Sequence, residues 1–269
     1  MIHVTNDFLM EVEEAEKECW RTYLSGAQKL PDNPLGIEFS SMSRSTAFLV
    51  KASTSQFFNK TLGFGMEHLE YLRPLLDFYH SNDKSCTIEL VPSLDDEIVF
   101  LTLARNGLYQ SFSSVMLYRP LSSPIKSFNE NITIEPVNKK ETNLLADIHV
   151  AGFEFQGEDA EQEYMIVEEG YKNDAFHCFV TKMGNKSISS GSLFVYNDIG
   201  VLFGGSTIPE FRGKGSQRAL LEYRINEASK LGCKYLISHT TMFSASQRNL
   251  ERVGFHIACN RMRWTDYPL

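Results

Sequence analysis

Two basic side chains and two glycines alternate within the run TIPEFRGKGSQRALL at residues 207–221. A β-branched stretch precedes them, and a helical pattern begins at Gly215. A strand followed by a glycine-rich turn and a helix leaves the first backbone N–H groups of the helix unpaired, at the positive end of its dipole. Arg212 and Lys214 add full positive charges there, and Gly213 lets an anion approach closely. The run therefore predicts a phosphate-binding loop.

Two common nucleotide motifs do not fit this spacing. A P-loop requires a glycine five residues before its Gly-Lys pair, and that position holds Ile208. A dinucleotide GxGxxG motif that starts at Gly213 would place its third glycine at Arg218. A solvated turn that only caps the helix is the alternative interpretation. Glycines at 213 and 215 would then cost about 1 kcal/mol each relative to alanine, which favours the phosphate interpretation.

Hydrophobic periodicity and turn residues divide the chain into alternating strand and helix patterns. In the first half the strand patterns lie at 37–50, 86–92 and 109–118, and the helix patterns at 7–30, 66–79 and 95–105. Asp7 is the predicted cap of the first helix, and Pro74 predicts a break in the second. The second half has strand patterns at 132–137, 176–182, 187–196, 200–207, 233–239 and 256–264, and helix patterns around 144–148, at 215–231 and at 244–252. Residues 157–169 are acidic and receive no assignment.

The run RPLSSPIKSFNEN at 119–131 combines prolines with serines and polar residues, which is typical of a linker. It predicts a domain at 1–125 and a second domain at 131–269. A constant offset of 147 residues relates Cys86 to Cys233 and Gly107 to Gly254. Two explanations of this offset are open. Two strand–helix–strand units could have similar lengths by chance, or the two halves could derive from an internal duplication. Under duplication, the first half carries GFGMEH where the second carries RGKGSQ, so the first half has lost the basic loop.

The run PEFRGKGSQRALL resembles the acyl-CoA pyrophosphate loop of the GNAT acetyltransferase superfamily, whose pattern is Arg/Gln-x-x-Gly-x-Gly/Ala. Arg212 and Gly215 match this pattern, and Gln217 replaces its last small residue. The run SASQRNLERVGF at 244–255 resembles the segment that follows in a bacterial GNAT subgroup. The resemblance covers about 132–264, and more loosely the whole chain as a tandem pair. It implies an α/β (α+β) fold of two GNAT-like domains, each a mixed, mostly antiparallel sheet flanked by helices.

The resemblance also implies the reaction, in which a primary amine attacks the thioester of acetyl-CoA directly. The acceptor would be a small-molecule or peptide amine, and acetyl-CoA the co-substrate. The implied coenzyme-binding residues are Gly205, Thr207, Arg212, Gly213, Lys214, Gly215, Ser216, Gln217 and Asn249. Of these, Thr207 is also expected to offer its backbone N–H to the thioester oxyanion.

Many relatives carry a tyrosine that protonates the leaving thiolate, and Leu250 occupies its place here. His239, at the end of its strand, is a candidate base or acid, with a packed strand histidine as the alternative. Glu154 is a second candidate, in the region that usually shapes the acceptor pocket. Ser244 and Gln247 indicate a capping box rather than a catalytic pair.

Composition narrows the class of protein. The net charge of −8 argues against a nucleic-acid partner, and no apolar run approaches the length of a membrane span. Five dispersed cysteines without a CxxC pair, and a first segment without a signal-peptide pattern, predict a cytoplasmic protein. No ligand pattern predicts a metal. The alternatives to an enzyme acting on small amines are a non-catalytic acyl-CoA sensor or partner-binding module, and acyl transfer to a protein, which predicts an open groove between the halves.

Overall fold

The computed structural model describes residues 4–92, 96–121 and 132–267. Within these ranges the α-helices are α1 (Asn6–Gln28), α2 (Leu72–His80), α3 (Asp96–Arg105), α4 (Asn143–Phe153), α5 (Gly157–Gly170), α6 (Ser216–Lys230) and α7 (Ala245–Arg252). The strands are β1 (Ile37–Met42), β2 (Ser45–Val50), β3 (Lys60–Leu62), β4 (Thr87–Leu90), β5 (Tyr109–Pro120), β6 (Thr133–Pro136), β7 (Phe176–Met183), β8 (Lys186–Tyr196), β9 (Ile199–Thr207), β10 (Tyr235–Thr241) and β11 (His256–Thr265). Short 3-10 helices span Met66–Tyr71 and Pro209–Phe211.

The strands form one mixed sheet in the order β1-β2-β3-β4-β11-β5-β10-β9-β8-β7-β6. The pairs β3–β4 and β9–β10 are parallel, and the other neighbours are antiparallel. The predicted mixed, mostly antiparallel sheet flanked by helices is therefore confirmed. The strands of the two halves meet in the middle and continue each other, so a single sheet runs through both.

The two halves exchange their last strands. β5, from the first half, pairs with β10, whereas β11, from the second half, pairs with β4. In the central β5–β11 ladder, Tyr118 faces His256 and Tyr109 faces Thr265. These four residues obey the same offset of 147, so the ladder has two-fold symmetry. Each half therefore needs the other to complete its sheet.

Helices cover both faces of the sheet. On one face α1, α4 and α5 bury a continuous apolar core with the strands of both halves. On the other face α2 and α3 cover the first half, and α6 and α7 cover the second. The helix α1 reaches across the boundary, since the ring of Tyr23 lies 4.9 Å from that of Phe203 in β9. At Gly170 a Cβ atom would lie 2.4 Å from the Tyr23 ring, so only glycine allows α1 and α5 this close.

Several local predictions are confirmed and others are wrong. Pro74 lies in the first turn of α2, and the predicted helix at 66–79 breaks into a 3-10 turn and an α-helix just before it. Asp7 does not cap α1, because Thr5 is the N-cap and its hydroxyl accepts from the Phe8 N–H at 3.2 Å. β3 and α5 were not predicted. Most of the predicted linker, residues 122–131, lies outside the described residues.

Leu250 has the packing role that its position implies. Its side chain is 2% exposed and packs in the cluster that contains Leu117, Leu220 and Phe255. We expect Leu250→Ala to lower the free energy of unfolding by about 2–5 kcal/mol, because it removes buried methyl groups and leaves a cavity. Urea denaturation measures the loss. Leu231→Ala is the control, since Leu231 is 43% exposed. Equal stabilities of the two variants would contradict a packing role.

Candidate functional site

The sheet forks between β9 and β10. Their parallel ladder joins Ile199–Val201 to Tyr235–Ile237 and ends there, although both strands continue. A register shift between β8 and β9 places an irregularity at Gly204, which has a φ of +61°. A Cβ atom at Gly204 would also lie 1.8 Å from the Tyr171 hydroxyl. Both the positive φ and this close approach therefore require glycine. A forked sheet exposes backbone groups of β9 that a neighbouring strand would otherwise pair.

The basic loop lies directly after this fork. Gly213 and Gly215 have φ values of +77° and +88°, in the left-handed region that favours glycine. Gly215 is the N-cap of α6 and supplies no side chain to cap it. Among the hydrogen bonds between described residues, none uses the N–H of Gly213, Gly215, Ser216 or Gln217. Free amides at the positive end of a helix dipole, on an exposed turn, are suited to holding an anion.

Arg212 fixes one wall of the loop. Its guanidinium donates to the Gly152 carbonyl at 2.6 Å and to the Glu154 carboxylate at 3.3 Å, and its side chain is 51% exposed. Glu154 is the C-cap of α4, with a φ of +61°. The structure therefore places Glu154 beside the loop, and no contact among the described residues joins it to His239. Lys214 lies on the same turn, with its ammonium 4.8 Å from the centre of the Phe211 ring.

The end of β9 and the start of α6 are tied together. The Gln217 amide donates to the Thr207 hydroxyl at 2.7 Å and passes close to Gly205. The N–H of Ile208 donates to the carbonyl of Ile188, just beyond the paired residues of β8 and β9. Along an antiparallel strand, successive N–H groups point alternately towards and away from the neighbouring strand. The N–H of Thr207 must then point away from β8 and towards the β10 side of the fork. This is the orientation expected of an oxyanion donor.

His239 lies on β10, two residues beyond the last paired residue of the fork. Its Nδ1 atom is 3.2 Å from Glu16 Oε1 of α1, whereas its Nε2 atom is buried and has no hydrogen-bond partner in the described structure. Burial lowers the pKa of the imidazole, and Arg261 acts in the same direction. The Glu16 carboxylate opposes them without reversing the shift. His239 is therefore neutral at pH 7, as a base must be.

Glu16 belongs to a buried group of charges that sequence reasoning missed. Arg261 lies 2.5 Å from Glu16 and 3.5 Å from Glu89, while the Lys60 ammonium lies 3.9 Å from the centre of the Trp20 ring. Burial opposes ionisation of Glu16, but Arg261 and then His239 outweigh it and hold its pKa well below the usual range. One sequence signal existed. Glu16 lies four residues after Val12 on the apolar face of α1, where an acidic residue is unexpected.

The corresponding loop of the first half is closed. The N–H of Gly63 donates to the Glu13 carboxylate at 3.2 Å, and the N–H of Gly65 donates to His68 Nδ1 at 3.2 Å. Burial raises the pKa of Glu13 to about 6, above that of an ordinary carboxyl. A cavity of about 260 Å³ remains between this loop and the end of β4. The N–H groups of Gly63 and Gly65 are therefore already hydrogen-bonded, and the run GFGMEH carries no lysine or arginine.

The remaining predicted residues have structural partners. Asn249 lies on α7 and accepts from Arg252 at 3.1 Å. Ser244 caps α7 by accepting from the Gln247 N–H at 3.1 Å. The Gln247 side chain accepts from Phe243 rather than Ser244, so the predicted capping box is displaced by one residue. Beside the basic loop, a cavity of about 470 Å³ is lined by Asp147, Glu154, Tyr164, Pro209 and Glu210, among others.

The described residues contain neither a candidate membrane-spanning helix nor a candidate metal-binding cluster. None of the helices there combines the length and apolar character needed to cross a membrane. Nor do histidine, cysteine and carboxylate side chains gather there in a group of three that could hold a metal ion.

The chain is similar to proteins of one superfamily. Residues 142–255 match the Acetyltransferase (GNAT) family model. A GCN5-related N-acetyltransferase from Kribbella flavida has a TM-score of 0.69 at 12% identity, with 96% of this chain and 95% of that chain covered. A GCN5-related N-acetyltransferase from Sphaerobacter thermophilus has a TM-score of 0.57 at 10% identity, with 83% and 76% covered. No curated protein sequence matches the chain. Residues 142–255 therefore carry a GNAT acetyltransferase domain, and the solved structures share the fold of nearly the whole chain.

Proposed function

We propose that the protein is an acetyl-CoA-dependent N-acetyltransferase that transfers the acetyl group to a primary amine. The observation that carries this proposal is the forked sheet joined to a basic glycine loop, whose amides have no hydrogen-bond partner among the described residues. We also propose that residues 131–269 form the catalytic unit and residues 1–125 a GNAT-like unit that binds no coenzyme. The closed loop at Gly63–Gly65 supports this division.

The residues of the fork fit acetyl-CoA. The amides of Gly213, Gly215, Ser216 and Gln217, with the charges of Arg212 and Lys214, would hold the pyrophosphate. The exposed backbone of β9 around Gly205 would pair with the extended pantetheine. Asn249 on α7 would form a hydrogen bond to the coenzyme. The coenzyme supplies an acetyl thioester, whose carbonyl oxygen would lie near the N–H of Thr207.

Transfer requires one proton to leave the amine and one to reach the sulfur. The amine nitrogen forms a bond to the carbonyl carbon as the carbon–sulfur bond breaks. The His239 imidazole is neutral, and its Nε2 atom, which has no hydrogen-bond partner in the described part of the chain, accepts the proton from the amine. The same proton, or one from water, then neutralises the thiolate of coenzyme A. Thr207 stabilises the charge on the oxygen through its backbone N–H. Glu154, held by Arg212, belongs to the loop and the neighbouring cavity rather than to this proton path.

One observation favours a second candidate, a non-catalytic acyl-CoA-binding module. The buried Leu250 offers no hydroxyl where many relatives carry the tyrosine that protonates the thiolate. Under this alternative the protein binds acetyl-CoA but releases no thiol when amines are added. In the favoured function, release of free thiol depends on the amine.

Binding of acetyl-CoA is expected at one site per chain. The second half has an open basic loop. The corresponding run GFGMEH of the first half has no lysine or arginine, and its Gly63 and Gly65 donate their N–H groups to Glu13 and His68. At a free concentration 100 times the dissociation constant, acetyl-CoA should stabilise the fold by about 2.7 kcal/mol. Titration calorimetry gives the stoichiometry and thermal unfolding gives the stabilisation. Two equivalent sites would contradict the closed state of the first loop, and no binding would contradict the proposed function.

A further inference from the structure

Resting on the proposed function, we propose that Glu16, a residue of the first half, positions and polarises His239 in the active site of the second half. Glu16 lies on α1 and His239 on β10, and Glu16 Oε1 is 3.2 Å from His239 Nδ1. The two side chains come from opposite ends of the sequence. Under this assignment the first half contributes a functional group to the reaction, although it binds no coenzyme itself.

The contact determines which nitrogen carries the proton. An ionised carboxylate only accepts hydrogen bonds, so it selects the tautomer of a neutral imidazole that has its hydrogen on Nδ1. That tautomer leaves a lone pair on Nε2. The Nε2 atom is buried and unpartnered among the described residues, on the strand that has just left the fork. Buried polar atoms are nearly always hydrogen-bonded. Glu16 Oε2 and two guanidinium nitrogens of Arg261 are also without hydrogen-bond partners among the described residues, and of these atoms Nε2 is the one on the strand beyond the fork.

The surroundings hold Glu16 in its charged form. Its second oxygen lies 2.5 Å from Arg261 of β11, a side chain that is 1% exposed. Arg261 in turn lies 3.5 Å from Glu89 of β4, and Lys60 of β3 lies 3.8 Å from the same carboxylate. If Glu16 turned away from His239, the buried Arg261 would lose the nearer of these two carboxylates, which is costly for a buried charge. The imidazole is therefore fixed in one orientation.

The exchange of strands explains why the first half is needed. β11 carries Arg261 into the ladder beside β4, which carries Glu89, while β5 separates β11 from β10, which carries His239. The helix α1 lies over these strands, and its Glu16 contacts both His239 of β10 and Arg261 of β11. A catalytic half without α1 would lack the partner of Nδ1 and an acceptor for the buried Arg261.

The first test is the variant Glu16→Gln, measured in the full chain. We expect kcat to fall by about 10- to 100-fold, as when an orienting outer partner is removed. KM for acetyl-CoA should be unchanged, because the phosphate loop is untouched. Arg261, Glu89 and Lys60 also face this cluster and remain in place. Since Glu16 raises the pKa of His239, its neutralisation should move the acidic limb of kcat/KM to lower pH. A residue that served only the packing would not move this limb.

Glu163→Gln is the matched control. Glu163 lies 147 residues after Glu16, is similarly buried, and its carboxylate is 3.1 Å from His149 Nε2. It should leave kcat and the pH profile as in the wild type. Glu16→Asp retains the charge and should recover part of the activity lost in Glu16→Gln. Wild-type turnover and an unmoved acidic limb in Glu16→Gln would overturn the proposal.

A second measurement does not depend on the variant folding. Nitrogen-15 NMR of the wild-type protein at neutral pH reports the His239 tautomer, with the signals assigned by their absence in His239→Gln. We expect a protonated Nδ1 and an unprotonated Nε2. A proton on Nε2 would overturn the proposal, because that nitrogen could not then accept one. Failure of the wild type to bind acetyl-CoA or release thiol would instead reject the proposed function, and the tautomer would still decide whether Glu16 orients His239.

Discussion

Arg212→Glu is expected to abolish the stabilisation of the protein by acetyl-CoA while leaving the chain folded. The substitution removes a guanidinium from the loop and places a carboxylate where the pyrophosphate should lie. Loss of a charge-assisted hydrogen bond alone costs about 1.5–3 kcal/mol, and repulsion adds to it, so the affinity should fall more than about 100-fold. Because the Arg212 side chain is 51% exposed, the fold should tolerate the change. Thermal unfolding with and without acetyl-CoA measures both effects.

Two further variants make this result specific. Gly215→Glu should have the same effect on binding, with an added loss of about 1–3 kcal/mol because Gly215 has a positive φ. Lys230→Glu reverses a charge at the other end of α6, where the side chain is 71% exposed, and should bind acetyl-CoA normally. Normal binding by Arg212→Glu and Gly215→Glu would remove the basis of the proposed function.

His239→Gln is expected to lower turnover by about 10²- to 10⁴-fold, the usual contribution of a general acid or base. Affinity for acetyl-CoA should be retained, because His239 makes no contact with the basic loop among the described residues. The pKa of His239 lies below its ordinary value, mainly because of burial and then Arg261, so the imidazole becomes protonated only as the pH falls through that lowered pKa. Wild-type activity should therefore persist below the pH at which an ordinary histidine would be protonated.

His149→Gln is the control for this substitution. His149 is also buried and also contacts a carboxylate, but it lies on α4 and not at the fork. It should retain turnover close to that of the wild type. If His239→Gln behaved in the same way, His239 would be a packed strand histidine and the proton acceptor would be another group.

The second half was more predictable from sequence than the first, for a physical reason. Clear turn and helix-termination signals mark the ends of its elements, such as the glycine turn before α6 and the Gly-Phe pair after α7. The order of the elements therefore follows from local patterns. β3 is only three residues long, too short for an alternating pattern. α5 was overlooked because its sequence is acidic and weakly amphipathic. Its burial comes from α1, which local sequence cannot reveal.

The candidate site also has a part that sequence could predict and a part that it could not. The loop from Arg212 to Gln217 is contiguous, so spacing and residue type sufficed to propose it. The pairing of Glu16 with His239 joins residues more than 200 positions apart and depends on the exchange of β5 and β11. Such contacts arise from strand order across the whole sheet, and no local pattern encodes strand order. The unexpected acidic residue on the apolar face of α1 was the one local trace of this cluster.

The most direct test of the proposed function is the release of free thiol from acetyl-CoA over a panel of primary amines. We expect the wild-type protein to release thiol in proportion to acetylated product with at least one amine, and Arg212→Glu to release none above background. Thiol release that no amine accelerates, in a protein that binds acetyl-CoA at one site, would contradict acetyl transfer and establish the chain as a coenzyme-binding module.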